Sequence, residues 1–347
     1  MATTSPTHTL TRALPAPRGP LSAAVIAAIA QSSSSAQLAL PDVHQADPYG
    51  EDLALALYTC YELHYRSFTG VDPMWEWEPR LLGLRAAMEG VFLAALRSDA
   101  GGGSDADAGD VTTALDALLI EQVPGSGVSH YLRERAPWWQ MREYLVHRSI
   151  YHLKEADPHA WVIPRLQGQA KASLVAVEFD EFGGGHGEHM HAQLFADLMA
   201  ASGLSPEYLY YLDIVPAPAI AIVNMMSMFG LHRRLRGALV GHFAAAEVTT
   251  SPSAQRITQA LERFGAGPAC TLFFTEHIEA DAVHEQVLRR DVIGDLLDRE
   301  PQLAADVVLG IAATELLETR LADHLLTAWR AGTTSLHRPL PAHSGPR

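Results

Sequence analysis

Apolar residues recur at helical spacing along most of the chain, and this periodicity constrains the fold more than any other feature. Leu53–Phe68 and Pro79–Arg97 repeat apolar residues every three or four positions, and similar segments continue as far as Trp329. Such spacing places apolar side chains along one face of an α-helix. Alternation with a period of two, typical of β-strands, is nearly absent apart from a doubtful run at Trp161–Ile163. The sequence therefore predicts an all-α helical bundle.

Composition excludes several classes of protein. The 347 residues are 48% hydrophobic, enough for a sizeable core, and the net charge of −15 argues against nucleic acid as a partner. Cys60 and Cys270 lie far apart and outside any CxxC spacing, which fits a reducing compartment and excludes thiolate metal sites. No apolar run is long enough to span a membrane, and residues 1–20 lack the apolar core of a signal peptide. We therefore expect a cytoplasmic protein.

Two histidines and an aspartate form the strongest chemical motif. His277, Asp281 and His284 occupy offsets 0, 4 and 7 in the run TEHIEADAVHEQVL, so a helix places all three on one face. Imidazole and carboxylate ligands on one stripe suit a divalent first-row metal such as iron. A solvated polar stripe is the alternative, since short motifs produce false matches.

Three ligands on one helix do not complete a two-metal site, because bundles draw such ligands from several facing helices. Glu247 is a candidate, since it lies in the otherwise uncharged run GHFAAAEVTT, where a buried carboxylate is costly unless paired, protonated or bound to metal. His191 shares an apolar helix face in HMHAQLFADLM. Its acidic partner stays open: Glu188 gives an ExxH pair, Glu181 precedes a glycine run, and Glu155 lies in the apolar setting LKEADPH.

Another acid and histidine are paired elsewhere. Glu143 and His147 lie four residues apart, on one face of a predicted helix within Ser129–Glu155. They could bind metal or support its ligands. We favour a structural role for them.

The runs DEFGGG, HMHAQLF, AAAEVTT and HIEADAVH together resemble the haem-oxygenase-like diiron oxidases and oxygenases, in the branch of iron-containing redox enzymes. In that superfamily a first core helix supplies a Glu and a His, a second supplies a bridging Glu, and a third supplies a His-x3-Asp-x2-His motif. The resemblance covers about Glu143 to Trp329. It implies the metal ligands Glu181, His191, Glu247, His277, Asp281 and His284, with Glu188 and Glu155 as less certain ones.

The resemblance also implies a haem-oxygenase-like bundle with additional N-terminal helices. It further implies two Fe(II) ions, or Mn, with O2 as co-substrate. The expected reaction is oxidation of a small molecule, such as an amine or amino acid, by N-oxygenation, desaturation or C–C cleavage in a biosynthetic pathway. An external electron donor and a homodimer are expectations of the same kind. The alternatives are a haem-binding or haem-degrading protein and a non-catalytic helical interaction protein.

Composition and the resemblance together predict four segments. Residues 1–40 are expected to be disordered, residues 41–125 to form an N-terminal helical region, residues 126–333 to form the haem-oxygenase-like diiron domain, and residues 334–347 to be a flexible tail. The run Ser251-Pro252-Ser253 predicts the end of one helix and the start of the next.

Overall fold

The computed structural model describes residues 12–34, 41–101, 105–120, 123, 125–343 and 345, without the side chains of residues 279–282. Throughout this part of the chain the regular elements are helical, which confirms the all-α prediction. The α-helices are α1 Pro20–Ile29, α2 Glu51–Glu62, α3 Pro79–Asp99, α4 Ala108–Leu118, α5 Val128–Glu134, α6 Trp138–His152, α7 Asp157–Ala160, α8 Gly168–Glu181, α9 His191–Ala201, α10 Ala217–Leu231, α11 Arg236–Arg263, α12 Pro268–Val287, α13 Gly294–Arg299 and α14 Ala304–Arg330.

Short turns of other helix types join these elements. A π-helical turn, Leu288–Ile293, links α12 to α13. The 3₁₀ turns are Pro73–Trp77, Ile163–Arg165, Gly183–Gly185, Gly187–His189, Arg233–Leu235 and Pro301–Leu303. The run at Trp161–Ile163 is not a strand, since it follows α7 in a turn and leads into the 3₁₀ turn that begins at Ile163.

Helix α11 is the centre of the bundle, because it packs along both α12 and α14. Two glycines allow the close approach of α11 to α14. A β-carbon at Gly241 would collide with the carbonyl of Val307, and one at Gly310 would collide with the carbonyl of Ala238. This contact positions Glu247 of α11 in the interior, where it is 7% exposed.

The predicted break at Pro252 is wrong, since α11 runs through it from Arg236 to Arg263. Proline removes one backbone donor and normally kinks or ends a helix. Here the side chains of Thr249 and Thr250 hydrogen-bond the carbonyls of Ala245 and Ala246, at 2.9 and 2.8 Å. Burial of the residues on both sides of Pro252 favours one continuous helix over the local break.

Residues 20–29 are helical, although they lie in the segment 1–40 that was expected to be disordered. These form α1, with Leu21, Val25 and Ile29 buried against the core. Asp52 of α2 accepts hydrogen bonds from the backbone amides of Leu21 and Ser22 at 2.8 and 2.7 Å, and thus caps α1. A cap supplied by a second helix has no local signature, so the sequence pattern did not indicate this helix.

The segment after α14 also differs from the expected flexible tail. Glu143 accepts hydrogen bonds from Trp329 Nε1 at 2.9 Å and from the backbone amide and hydroxyl of Ser335 at 2.9 and 2.7 Å. Its other oxygen accepts one from the Thr334 hydroxyl, and His147 Nε2 lies 2.9 Å from Ser335 Oγ. We call these five residues the C-terminal clamp. They confirm a structural role for Glu143 and His147.

Two further observations concern membrane spans and the cysteines. Among the described helices, none is long and apolar enough to cross a membrane. Cys60 and Cys270 are both buried and unbridged. The division of the chain into four segments stays a prediction.

Candidate metal centre

Six buried side chains form two adjacent groups of potential metal ligands. Within each group, one ligand atom from every residue lies within 4.8 Å of the others. We call them the first group, Glu155, His191 and His277, and the second group, Glu181, Glu247 and His284. The groups adjoin each other: His191 Nδ1 lies 2.9 Å from Glu181 Oε2, and the rings of His191 and His277 are 4.3 Å apart.

Helix α12 contributes one histidine to each group. His277 and His284 are seven residues apart, which corresponds to two turns, or about 10 Å along the helix, with both side chains on one face. They are 4% and 3% exposed. Asp281 lies between them in α12, but its side chain is outside the described residues. The spacing that suggests a metal stripe in the sequence thus places one histidine in each of two neighbouring groups.

A glycine loop brings Glu181 and His191 together. Helix α8 ends at Glu181 and α9 begins at His191, so the intervening segment is not a continuous helix. Gly183 has a φ of 74°, and a β-carbon there would lie 2.6 Å from the backbone of His189 and Met190. Only glycine tolerates both the left-handed conformation and this contact. The DEFGGG run therefore folds the chain back and sets the two ligands side by side.

Neighbouring acceptors orient the two histidines of α12. His277 Nδ1 donates to the carbonyl of Phe273 at 2.6 Å, which directs Nε2 towards Glu155 Oε1, 3.7 Å away. His284 Nε2 lies 3.2 Å from the Asp180 carboxylate, which turns Nδ1 towards Glu247 Oε2 at 3.3 Å. Such partners fix the tautomer and ring orientation of metal-binding histidines.

Several ligand atoms are close to one another without being hydrogen-bonded, as a metal site requires. Glu155 Oε2, His191 Nδ1, Glu247 Oε2 and His284 Nδ1 are buried and lack any partner with hydrogen-bond geometry. Within each group the atoms lie close together as if pointing towards a common position, and they are not hydrogen-bonded to one another. Buried polar atoms are rarely left unsatisfied, so this arrangement fits a pair of cations bound by oxygen and nitrogen.

The pKa values of these groups respond to burial and to their neighbours. Burial raises the pKa of Glu247, and the neighbouring His284 imidazole only partly offsets this effect. Burial alone would lower the pKa of His284, but Glu247, Asp180 and Glu181 raise it to about 9. Burial would also raise the pKa of Glu155, yet His152 and His277 hold it well below its usual range. Such opposing shifts in one cleft are typical of functional sites.

The structure separates the alternatives for the acidic partner of His191. Glu181 and Glu155 are 5% and 7% exposed, and each belongs to one of the two groups. Glu188, in contrast, is exposed in the 3₁₀ turn Gly187–His189 and belongs to neither group. The ExxH spacing is not realised on a helix, because α9 begins only at His191.

Two residues near the groups escaped the sequence analysis. His152 Nδ1 lies 2.7 Å from Glu155 Oε1, at the end of α6. Glu178 is 2% exposed, and both its oxygens lack hydrogen-bond partners. Burial and the charges of Glu181 and Glu247 raise its pKa well above the usual value. Its position one turn before Glu181 in VAVEFDEF is the signal that could have indicated it.

A cavity of about 480 Å³ lies against the two groups. Glu155, Glu181, Glu247 and His277 line one part of it, together with apolar side chains such as Phe243 and Phe273. The remaining polar wall includes Arg148, Glu315 and Glu318. Arg148 binds Glu318 through two hydrogen bonds, of 2.7 and 2.6 Å. The volume is sufficient for a small organic molecule beside the metal ligands.

Comparisons with known proteins agree with this geometry. A nitrosourea synthase of Streptomyces achromogenes subsp. streptozoticus is 25% identical to this chain over 186 residues, which is 53% of this chain and 39% of the relative. This chain therefore covers well under half the length of that relative. A family model described as iron-containing redox enzyme matches residues 142–319, which include all six residues of the two groups. Because this match covers just over half of the chain, the protein belongs to the family of iron-containing redox enzymes.

Proposed function

We propose that this protein is a non-haem diiron oxidase or oxygenase that uses O2 to oxidise a small molecule. The observation that carries the proposal is the pair of buried acid-and-imidazole groups served by His277 and His284 of one helix. Each group offers oxygen and nitrogen donors without thiolate, the ligand set that suits Fe(II), with Mn(II) as the alternative. Asp281 completes the proposed set of ligands.

Two ferrous ions held there would supply electrons for the reduction of O2. The protein itself contributes placement and protection. Helices α8, α9, α11 and α12 fix five of the six donor residues of the two groups, and Phe273 and Asp180 orient the imidazoles of His277 and His284. Phe243 and Phe273 give the adjoining cavity an apolar surface, which limits water near the ligands. An external electron donor is part of the proposal.

Among the reactions open to such a centre, oxidation of a nitrogen atom is the one we favour. A nitrosourea contains an oxidised nitrogen, and a nitrosourea synthase is similar to this chain over 186 residues. Among the described residues that line the cavity, Glu315 and Glu318 are accompanied by a single Lys or Arg, namely Arg148, which is paired with Glu318. This acidic excess suits an amine or an amino acid. Desaturation and oxidative C–C cleavage are the other reactions of the proposal.

Iron binding by the metal-free protein tests the proposal directly. We expect an anaerobic Fe(II) titration to reach about two ions per chain. Glu247→Ala removes a donor of the second group and should abolish binding of at least one ion. Glu188→Ala is a matched control, because Glu188 is an exposed acid near His191 and belongs to neither group. This control should still bind two ions.

The reaction class requires a second measurement. The iron-loaded protein should consume O2 faster with amines or amino acids than with alcohols of matched chain length, and the Glu247→Ala protein should not. Failure of the wild-type protein to bind iron, with or without these compounds, would contradict the diiron proposal. A haem-dependent absorption band that is unaffected by Glu247→Ala would favour a haem protein instead.

A further inference from the structure

Lys154 and Glu155 are adjacent in sequence and point in opposite directions. Glu155 belongs to the first group, where its carboxylate lies 2.7 Å from His152 and 3.7 Å from His277. Lys154 is 1% exposed, and its ammonium group forms an ion pair of 2.9 Å with Glu62 of α2. A single peptide unit therefore connects a proposed metal ligand to the N-terminal helices.

The surroundings of Lys154 form a complete binding site for its ammonium group. The rings of Tyr58 and Tyr65 lie 4.6 and 4.2 Å from Nζ, within range of cation–π attraction. Glu62 is fully buried, and the hydroxyl of Tyr208 donates to its carboxylate at 2.8 Å. Two tyrosine rings and Glu62 thus surround one cation, and Tyr208 holds the carboxylate of Glu62.

The turn that carries Glu155 needs such an anchor. It lies outside regular helix, because α6 ends at His152 and α7 begins only at Asp157. Ala156 has a φ of 71°, a left-handed conformation that costs a non-glycine residue roughly 1 kcal/mol or more. A strained turn persists only when its surroundings hold it. The Lys154–Glu62 ion pair is a buried polar contact of the residue directly before Glu155.

Stability alone does not explain this ion pair. Burying two charges costs several kcal/mol, and apolar residues of similar volume often replace such a pair without loss of stability. A charged hydrogen bond differs from apolar packing in being directional. It can fix where the neighbouring carboxylate lies more narrowly than apolar contacts would.

We propose that Lys154 and Glu62 are a positioning pair that holds Glu155 in the first group, so that helix α2 is part of the metal centre. Glu62 lies outside the stretch that matches the family, residues 142–319, whereas Lys154 lies within it. The N-terminal helices would then support one of the two metal positions directly. This inference rests on the proposed diiron function.

The test compares the two metal positions in one titration. Lys154→Met combined with Glu62→Leu removes both charges and keeps most of the packing volume. We expect this protein to fold and to bind one Fe(II) as tightly as before, through the second group. The other Fe(II) should bind at least about 10-fold more weakly, as for loss of other groups that orient metal ligands. Mössbauer spectra of protein loaded with ⁵⁷Fe should lose one of two ferrous signals.

A control uses another ion pair with a buried cation, between Arg236 of α11 and the partly exposed Glu300. Arg236→Met combined with Glu300→Leu should leave the binding of both ions unchanged. Folding of each protein is checked by circular dichroism and thermal unfolding. A folded Lys154→Met/Glu62→Leu protein that binds two ions with wild-type affinities would overturn the positioning role but not the diiron function. Absence of iron from the wild-type protein would contradict the diiron function itself.

A milder variant covers the case in which the double substitution does not fold. Tyr208→Phe removes only the hydroxyl that donates to Glu62. We expect it to weaken the same Fe(II) by about 2- to 5-fold, in keeping with the loss of one hydrogen bond to a charged group outside the ligand shell. Lys154→Arg, which keeps the positive charge, should bind the Fe(II) of the first group more tightly than Lys154→Met does. Equal affinities in wild type, Tyr208→Phe and Lys154→Met would overturn the inference.

Discussion

The C-terminal clamp and the second group each bury a glutamate and a histidine, but these glutamates differ in their hydrogen bonding. In the C-terminal clamp, both oxygens of Glu143 accept hydrogen bonds, from Trp329, Thr334 and Ser335. In the second group, Glu247 Oε2 and His284 Nδ1 are buried 3.3 Å apart without hydrogen-bond geometry. The clamp has satisfied its carboxylate within the protein. In the first and second groups, by contrast, some potential metal-ligand atoms have no hydrogen-bond partner.

This difference separates a structural cluster from a candidate metal site. Burying an ionised carboxylate is expensive unless hydrogen bonds, a cation or a proton compensate it. Satisfaction by neutral donors leaves no role for a metal at Glu143. Convergent ligand atoms without hydrogen-bond partners at His191, Glu247 and His284 favour a metal there. The same substitution, of glutamate by glutamine, should therefore have opposite consequences for iron binding and for stability in the two clusters.

The largest expected effect is on iron affinity in Glu247→Gln. An amide is a weak ligand, so we expect the second-group Fe(II) to bind at least about 100-fold more weakly, beyond the usual effect of altering a group that merely supports a ligand. The metal-free protein should be no less stable than wild type, because the substitution removes a carboxyl group whose ionisation burial opposes. Calorimetric titration and thermal unfolding measure the two quantities. Tight binding of two ions by this variant would remove Glu247 from the ligand set.

The matching substitution in the clamp should affect stability and leave iron binding intact. Glu143→Gln places an NH2 group against donors that now meet a carboxylate, so we expect a loss of about 2–3 kcal/mol in the free energy of unfolding. Chemical denaturation of the metal-free protein measures it. Iron stoichiometry should stay at the wild-type value. If iron were lost while stability stayed the same, the assignment of the clamp as structural would be wrong.

The sequence predicted the helical architecture, but it left open which acid lies beside His191. Helical periodicity is local, so α8, α11 and α12 could be read directly. Whether an acid is buried depends on contacts far away in sequence, and this left Glu155, Glu181 and Glu188 as alternatives. The glycine loop after α8, rather than a helix, decides between Glu181 and Glu188.

The failures of sequence reasoning share one physical cause, which is stabilisation by distant residues. Asp52 caps α1, and Glu143 binds Thr334 and Ser335, so segments that look disordered by composition are held in place. Helix α11 continues through Pro252 because its flanks are buried. Glu178 was missed because an acid within an apolar stretch is hard to distinguish from one that reaches solvent.

A smaller effect is expected at Glu178. Its carboxylate oxygens lack hydrogen-bond partners, like several atoms of the first and second groups, but Glu178 belongs to neither group. Glu178→Leu removes an unsatisfied buried carboxyl group, and we expect the metal-free protein to gain about 1–2 kcal/mol in the free energy of unfolding. The control Glu262→Leu, at an exposed position of α11, should change it by less than about 0.5 kcal/mol. Both variants should bind two ions. Loss of iron in Glu178→Leu would instead make Glu178 a ligand.

The smallest expected effect is a pH dependence of stability that arises from His147, the imidazole of the clamp. It distinguishes this imidazole from those of the first and second groups. Burial, followed by the charges of His324, Arg148 and His337, lowers the pKa of His147 well below its usual value. Its neutral form contributes stability that is present above pH 6.5, the pKa in the unfolded chain, and is lost as pH falls towards the folded pKa. Between pH 6.5 and 5.5 this loss should amount to about 1 kcal/mol.

His147→Gln is the matching variant, because its amide can still donate to Ser335 Oγ but does not titrate. Denaturation at several pH values should therefore show wild type losing about 1 kcal/mol more than His147→Gln over that interval. The metal-free protein must be used for both, since protons compete with metal at the other histidines. Parallel pH profiles would mean that His147 takes up a proton in the folded protein, which would contradict its assignment as the neutral imidazole that donates to Ser335 Oγ in the clamp.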